Sequence, residues 1–284
     1  MIPAEFDYVR AGSVDEAVAA LAEHGDDAKV MAGGQSLIPL LRLRLAYPDV
    51  VVDVGRVTEM TGVREDGDAL VIGAMTTHHD VIHSDLIRQH CGLLAAATET
   101  VADPAVRHRG TFGGALAHAD PAGDLPAVAL ALEAQMVVAG SGGRRTVPAS
   151  EFFVDYLQTA IEPDELLVEV RVPKLGEGWG FRYEKFHRVA QSWAIVGVAA
   201  AVRRSNGNIA EARVGLTNMG STPVRASAVE QALAGAGTDG ISAATEHAAE
   251  GTSAPSDLNG KADYREHLAR VLTRRAVMAA AGVS

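Results

Sequence analysis

A chain of 284 residues, 48% hydrophobic and 21% charged, has the composition of an ordinary folded protein and is long enough to bury one or two sizeable cores. Its formal net charge of -11 repels phosphate backbones, and no basic run interleaved with aromatics offsets it, which argues against a nucleic-acid partner. The one cysteine, Cys91, rules out an internal disulfide and an iron–sulfur cluster, which usually takes four thiolates.

In chain order, Met1 to Arg10 carries Glu5 and Asp7 and lacks the charged-then-apolar pattern of a secretory leader. The longest apolar stretch, Trp193 to Val202, falls far short of the ~20 residues a membrane span needs. A cytoplasmic location is the expectation. Ser13-Val14-Asp15-Glu16 is a capping box opening an amphipathic helix through Leu21 that stops at Gly25. A short strand is expected over Lys29 to Ala32, and buried strands at Val50 to Val54 and Ala69 to Ile72, with a loop-to-helix unit between them.

Leu86 to Val101 reads as a helix, broken at Asp103-Pro104, and a further helix spans Leu125 to Glu133. Strands at Gln135 to Ala139 and Leu166 to Val172 close this region, and Pro173 to Gly180, with its glycines, marks the domain boundary. Beyond it, Trp193 to Arg203 and Ile209 to Asn218 flank Asn206-Gly207, a strong hairpin turn signal. A loose loop near Ala248 to Asp257 precedes a last helix, Asp263 to Ala281, with Leu268, Val271, Leu272 and Val277 near one face.

Two glycine pairs carry the functional signal. Ala32-Gly33-Gly34-Gln35-Ser36 follows a strand and precedes the helical run Leu37 to Leu45, with Pro39 in its first turn. Glycines there let the backbone approach a ligand, and free N–H groups at the helix start favour an anion; a plain helix-start turn explains the same residues without a ligand. Thr111-Phe112-Gly113-Gly114-Ala115 repeats the design. Paired nests from two subdomains can close on a diphosphate from both sides, whereas two unrelated turns are the competing explanation.

Other motifs are weaker. Gly235-Ala236-Gly237-Thr238-Asp239-Gly240 matches G-x-G-x-x-G but follows a helix instead of a strand, so it lacks the context of a nicotinamide site. His79 and His83 have chelating i, i+4 spacing beside Asp80, but no third ligand is evident and no metal is expected. Ser192 and His187 suggest a nucleophile and base by type only. No catalytic residue is assigned.

At its two Gly-Gly loops the chain resembles the FAD-binding medium subunit of molybdenum hydroxylases, the group containing aerobic carbon monoxide dehydrogenase and xanthine dehydrogenase. The resemblance spans essentially the whole chain. It rests on Ala32 to Ser36, on Arg109-Gly110 leading into Thr111 to Ala115, and on His118-Ala119-Asp120-Pro121-Ala122-Gly123-Asp124-Leu125-Pro126. Lys185 with Arg188, and Gly215-Leu216-Thr217-Asn218 near Pro223 to Ala226, extend it. Leu216-Thr217-Asn218 and Ser192-Trp193-Ala194 point to the carbon-monoxide-dehydrogenase branch.

What the resemblance implies is an α+β chain. A two-lobed FAD-binding domain of the vanillyl-alcohol-oxidase type would occupy residues 1–175, with lobes of about 1–57 and 58–175. A smaller C-terminal domain, residues 176–284, would hold a three-stranded antiparallel sheet and helices. Carried over by position, Lys29, Val30, Met31, Ala32, Gly33, Gly34, Gln35 and Ser36 would line the adenine and pyrophosphate side of FAD. Thr111, Phe112, Gly113, Gly114 and Ala115 would clamp the pyrophosphate from the other lobe. Asp124 would contact the cofactor, Leu167 would make an apolar contact to the flavin, and Lys185 would place a cation beside it, unless it makes only a surface salt bridge.

Two positions depart from the pattern: Ala115 stands where many relatives have Asn, and Trp193 where relatives often carry Asp and an aromatic. Trp193 is expected against the isoalloxazine ring. The implied partners are a large molybdenum-pterin subunit and a small two-cluster iron–sulfur subunit, assembled as a dimer of heterotrimers. Electrons would pass through FAD to quinone, NAD or oxygen, in the cytoplasm or peripheral to the inner face of the membrane through the partners. The alternative is a scaffold module without flavin; a freestanding flavin oxidase would need a substrate pocket and base that the sequence does not present.

Overall fold

The computed structural model describes residues 2–283. Three strands, Asp7–Arg10, Val50–Asp53 and Ala28–Met31, form a small parallel sheet with Val50–Asp53 in the centre. The central strand is a buried Val-Val-Val run, as expected of a parallel strand covered on both faces. The helix Val14–His24 covers this sheet; Ser13 caps it by accepting from the Glu16 N–H, and Val14, Ala17 and Leu21 enter the core. This is the first lobe.

The second lobe is built on a five-stranded sheet, ordered Val63–Asp66, Ala69–Gly73, Leu166–Pro173, Gln135–Gly140 and Gly143–Pro148. A single 3-10 turn, Thr58–Met60, and the strand Val63–Asp66 replace the loop-to-helix unit expected before Ala69. The helical run expected over Leu86 to Val101 is two helices, Asp85–His90 and Gly92–Glu99, because Cys91 leaves helical geometry between them. Asp103 then caps the short helix Pro104–Arg107.

The third sheet contains the expected hairpin: Val196–Ser205 and Asn208–Thr217 pair across Asn206 and Gly207, both with positive φ. Trp179–Phe186 lies on one side and the two-residue strand Val224–Arg225 on the other, so three long strands carry a fourth, minimal edge. The C-terminal helix Ala262–Ala280 buries Leu268, Leu272 and Val277 in the second core, with Val271 only partly covered.

Helix Asp124–Ala131, buried along its whole length, joins the second lobe to the third sheet. Gly215 allows the contact, since a Cβ there would stand 2.2 Å from the Ala127 carbonyl oxygen. Arg213 and Arg225 of the third sheet both reach Glu133, at 3.2 and 3.4 Å. Among the described residues no helix is long and apolar enough to cross a membrane.

Candidate functional site

The strand Ala28–Met31 feeds directly into the first Gly-Gly loop, which leads into the helix Leu37–Leu43. Gly34 takes φ +74, in the left-handed region that favours glycine. Gly33 meets the opposite loop: a Cβ there would sit 2.0 Å from the Arg109 carbonyl oxygen and 2.9 Å from the Gly110 Cα. Ser36 makes no side-chain cap, and among the described residues nothing accepts from the backbone N–H groups of Gly34, Gln35 and Ser36. These donors are open to a ligand.

The second loop is built differently from the nest expected of it. Thr111 caps the helix Phe112–His118 by accepting from the Gly114 N–H at 3.1 Å, and the two glycines lie inside its first turn. Phe112 donates to the Thr76 carbonyl at 2.9 Å, Gly113 to Ala74 at 2.9 Å and Ala115 to Thr111 at 3.0 Å, so the donors of residues 112–115 are already engaged. Its glycines serve close approach instead. A Cβ on Gly113 would stand 2.4 Å from that of Ala74, and one on Gly114 3.6 Å from that of Ala32 on the first loop.

Between the two lobes and the third sheet lies a cleft of about 1290 Å³. Lys29, Val30, Ala32, Gly33, Gly34, Gln35, Ser36, Thr111, Gly113, Gly114, Ala115, Asp124, Leu167, Lys185 and Trp193 all line it. Two of the expected site residues do not. Phe112 is 1% exposed, packed in the core by the helix it starts, and Met31 sits in strand register with Asp53, its side chain behind Gly34.

Lys185 is no surface salt bridge. Its Nζ donates to Asp124 Oδ2 at 2.8 Å and to the Thr100 carbonyl at 3.1 Å, and the two side chains are 5% and 4% exposed. Tyr183 donates its hydroxyl to the other carboxylate oxygen, Oδ1, at 2.6 Å. Burial pushes the Asp124 carboxyl above its ordinary range, while Lys185 and Tyr183 pull it back. Tyr183 is itself raised well above the usual phenol range by burial and by the Asp124 charge.

Sequence reasoning passed over His78, which also lines the cleft. It is 4% exposed, its Nδ1 has no hydrogen-bond partner, and burial holds its pKa down at about 4. Its backbone N–H donates to the Gly110 carbonyl at 2.9 Å, tying it to the second loop. Its neighbours His79 and His83 lie with ring centroids 4.1 Å apart but tilted by 38°, and His108 stacks on His79 at 4.1 Å. Among the described residues no group of three ligands could hold a metal. Ser192 donates its hydroxyl to the Val189 carbonyl at 2.8 Å, and among the described residues it hydrogen-bonds to no imidazole. The Gly235 to Gly240 motif closes the helix Ser227–Leu233 and lies outside the cleft.

These features fit a dinucleotide such as FAD. The cleft exceeds the few hundred to roughly 1,000 Å³ typical of small-ligand pockets. One wall offers open backbone donors for a diphosphate, the glycine positions leave space a side chain would fill, and a cation reaches the cleft from the third sheet. Comparison with known proteins agrees. Residues 4–175 match the model of the FAD binding domain in molybdopterin dehydrogenase, and residues 181–280 that of the CO dehydrogenase flavoprotein C-terminal domain. The chain is 42% identical to the carbon monoxide dehydrogenase medium chain of Hydrogenophaga pseudoflava, covering 99% of this chain and 98% of that one. It is 39% identical to the 6-hydroxypseudooxynicotine dehydrogenase complex subunit alpha of Paenarthrobacter nicotinovorans, covering 97% and 94%. The solved structure of reconstituted CO dehydrogenase from Oligotropha carboxidovorans superposes with a TM-score of 0.97 at 38% identity, covering 100% of both chains. The chain therefore belongs to the family of FAD-binding medium subunits of molybdenum hydroxylases, and it is an oxidoreductase subunit whose cofactor is FAD.

Proposed function

We propose that this chain is the electron-transfer subunit of a carbon-monoxide-dehydrogenase-like molybdenum hydroxylase. It works with a large molybdenum-pterin subunit and a small two-cluster iron–sulfur subunit in a cytoplasmic dimer of heterotrimers. The observation that carries this reading is the single cleft in which both Gly-Gly loops, Lys185 and Trp193 meet. When bound, FAD supplies a carrier that takes electrons from the partner's clusters and delivers them to quinone, NAD or oxygen. The lone buried cysteine supports that division of labour, since this chain has no thiolate set of its own for a cluster.

In this reading residues 1–175 hold the cofactor and residues 176–284 complete the cleft from the third sheet. The open N–H groups of Gly34 to Ser36 bind the pyrophosphate, and Lys29 to Met31 form the strand leading to it, with Lys29 and Val30 on the adenine side. Thr111 to Ala115 close the site by shape, packing their glycines against Ala74 and Ala32. Leu167, 4% exposed, gives an apolar wall, and Lys185 gives the positive charge that favours a negative charge on the reduced flavin. The two named relatives are subunits of enzymes named for carbon monoxide in one case and 6-hydroxypseudooxynicotine in the other, at 42% and 39% identity, so sequence in this subunit does not track the substrate. Substrate choice belongs to the molybdenum subunit.

A visible spectrum with mass identification of the cofactor, on protein purified alone and with its native partners, tests this directly. Stoichiometric FAD in the complex is the expected result. No flavin in either preparation overturns the reading and leaves a scaffold in its place. Trp193 is 56% exposed at the cleft, a large aromatic held where a planar ring can cover it. Trp193→Ala is expected to raise the fluorescence of bound flavin several-fold and to move its potential; if both stay unchanged, the indole does not touch the ring.

A further inference from the structure

Lys185 reaches the cleft wall from the strand Trp179–Phe186, and its geometry depends on a residue that never touches the cleft. Two of its three ammonium protons are engaged by Asp124 and by the Thr100 carbonyl, which leaves one for the cleft. Asp124 is therefore the anchor, and a buried carboxylate holds a fixed position only if both oxygens are satisfied. Tyr183, two residues before Lys185 on the same face of the strand, satisfies the second oxygen. It does not line the cleft.

Room for that hydroxyl is built into the neighbouring strand. Gly197 pairs with Lys185 across the sheet, and a Cβ at position 197 would stand 2.6 Å from the Tyr183 hydroxyl oxygen. Gly197 has no positive φ and forms no turn, so backbone freedom does not explain the glycine. Space for the tyrosine does, with the Thr217 Cβ, 3.0 Å from the same point, as the second neighbour. We propose that Tyr183 is a positioning residue: through Asp124 it holds the Lys185 ammonium aimed at the cleft, and so sets how strongly the site favours negative charge on bound flavin.

The inference rests on the reading of Lys185 as the cation beside the flavin, and adds the device that fixes it. With the phenol gone, Asp124 has Lys185 as its main partner, and the tightened ion pair neutralises the ammonium that the flavin would otherwise feel. The carboxylate also becomes more basic. On acidification it takes up a proton earlier than in the wild type and frees the Lys185 charge. The titratable groups facing Asp124 are Lys185, Tyr183 and His187, and of these only the phenol itself differs between variant and wild type.

The test is the flavin midpoint potential from neutral toward acid pH, measured on the FAD-loaded chain with its native partners, for wild type, Tyr183→Phe and Lys185→Met. Tyr183→Phe is expected to retain FAD while its preference for the reduced form falls about tenfold, a drop of about 30 mV for a two-electron couple. The gap from wild type should close as pH falls. Gly197→Ala, which displaces the hydroxyl and keeps all three side chains, is expected to reproduce the same pH-dependent gap and carries the test should Tyr183→Phe lose FAD. A potential in both variants that tracks wild type at every pH, while Lys185→Met lowers it, overturns the role of Tyr183 and leaves that of Lys185 standing. If Lys185→Met also leaves the potential unmoved, Lys185 does not act on the flavin and the inference falls with it.

Discussion

Gly33→Ala is expected to abolish stable FAD binding, lowering affinity by about a hundredfold or more, roughly 3 kcal/mol. The added methyl would stand 2.0 Å from the Arg109 carbonyl oxygen and 2.7 Å from its carbon, both backbone atoms of the facing loop. No rotamer relieves that overlap, so the two loops must part, at a further cost to folding of about 1–3 kcal/mol. Gly34→Ala meets a softer obstacle, the Ile38 Cδ1 at 2.7 Å, though its φ of +74 adds backbone strain of about 1 kcal/mol. Gly114→Ala mainly crowds the Thr111 hydroxyl, at 2.7 Å. Flavin-to-protein ratio and Tm should therefore rank Gly33→Ala worst of the three. Gly142→Ala, where a Cβ meets nothing within 4 Å, is the silent control. Full flavin content and unchanged affinity in Gly33→Ala would mean that the contact between loops does not shape the site.

That ordering could not be drawn from sequence, and the reason is general to this chain. Features set by near neighbours were legible: the Ser13 to Glu16 capping box, the Asn206-Gly207 turn, and the buried Val50 to Val52 strand all depend on residues a few positions apart. Strands lacking an apolar face were not. Val63–Asp66 reads Val-Arg-Glu-Asp and is mostly exposed, and Gly143–Pro148 is exposed through Thr146, so neither carries a hydrophobic period to detect. The Pro173 to Gly180 boundary runs into the strand Trp179–Phe186. Gly180, its second residue, is glycine for a reason outside the segment, since the Ala280 carbonyl oxygen lies 2.0 Å from where a Cβ would be.

In the site, the glycine pairs stood out as local motifs, and the resemblance placed Asp124 and Lys185 beside a cofactor. Their mutual ion pair, across 61 positions of sequence, and its dependence on Tyr183 appear only in three dimensions. The second loop shows the limit of motif reading most plainly. Gly-Gly can free N–H groups for a ligand or let two chains touch, and Thr111 to Ala115 does the second.

Acid should weaken the chain through His78. Its folded pKa is held down at about 4, against 6.5 for the free side chain, by burial first and by the Arg107 charge second. A depressed pKa means that the unfolded chain binds the proton more readily. The stability tied to neutral His78 is therefore intact above pH 6.5 and is lost as pH falls from there toward 4. The difference of about 2.5 units corresponds to about 3 kcal/mol at full protonation, of which about 2 kcal/mol is lost between about pH 7 and 5. The loss has a functional reach. His78 donates its backbone N–H to Gly110, and its ring lies 3.0 Å from where a Gly110 Cβ would be, so charging the imidazole loosens the loop facing Gly33. Urea denaturation near pH 7 and pH 5 should show a drop in wild type that is about 2 kcal/mol larger than in His78→Gln, which has no proton to gain. FAD release on acidification should slow in the same variant. Equal acid sensitivity in the two proteins would show that the buried imidazole is not the group through which low pH acts.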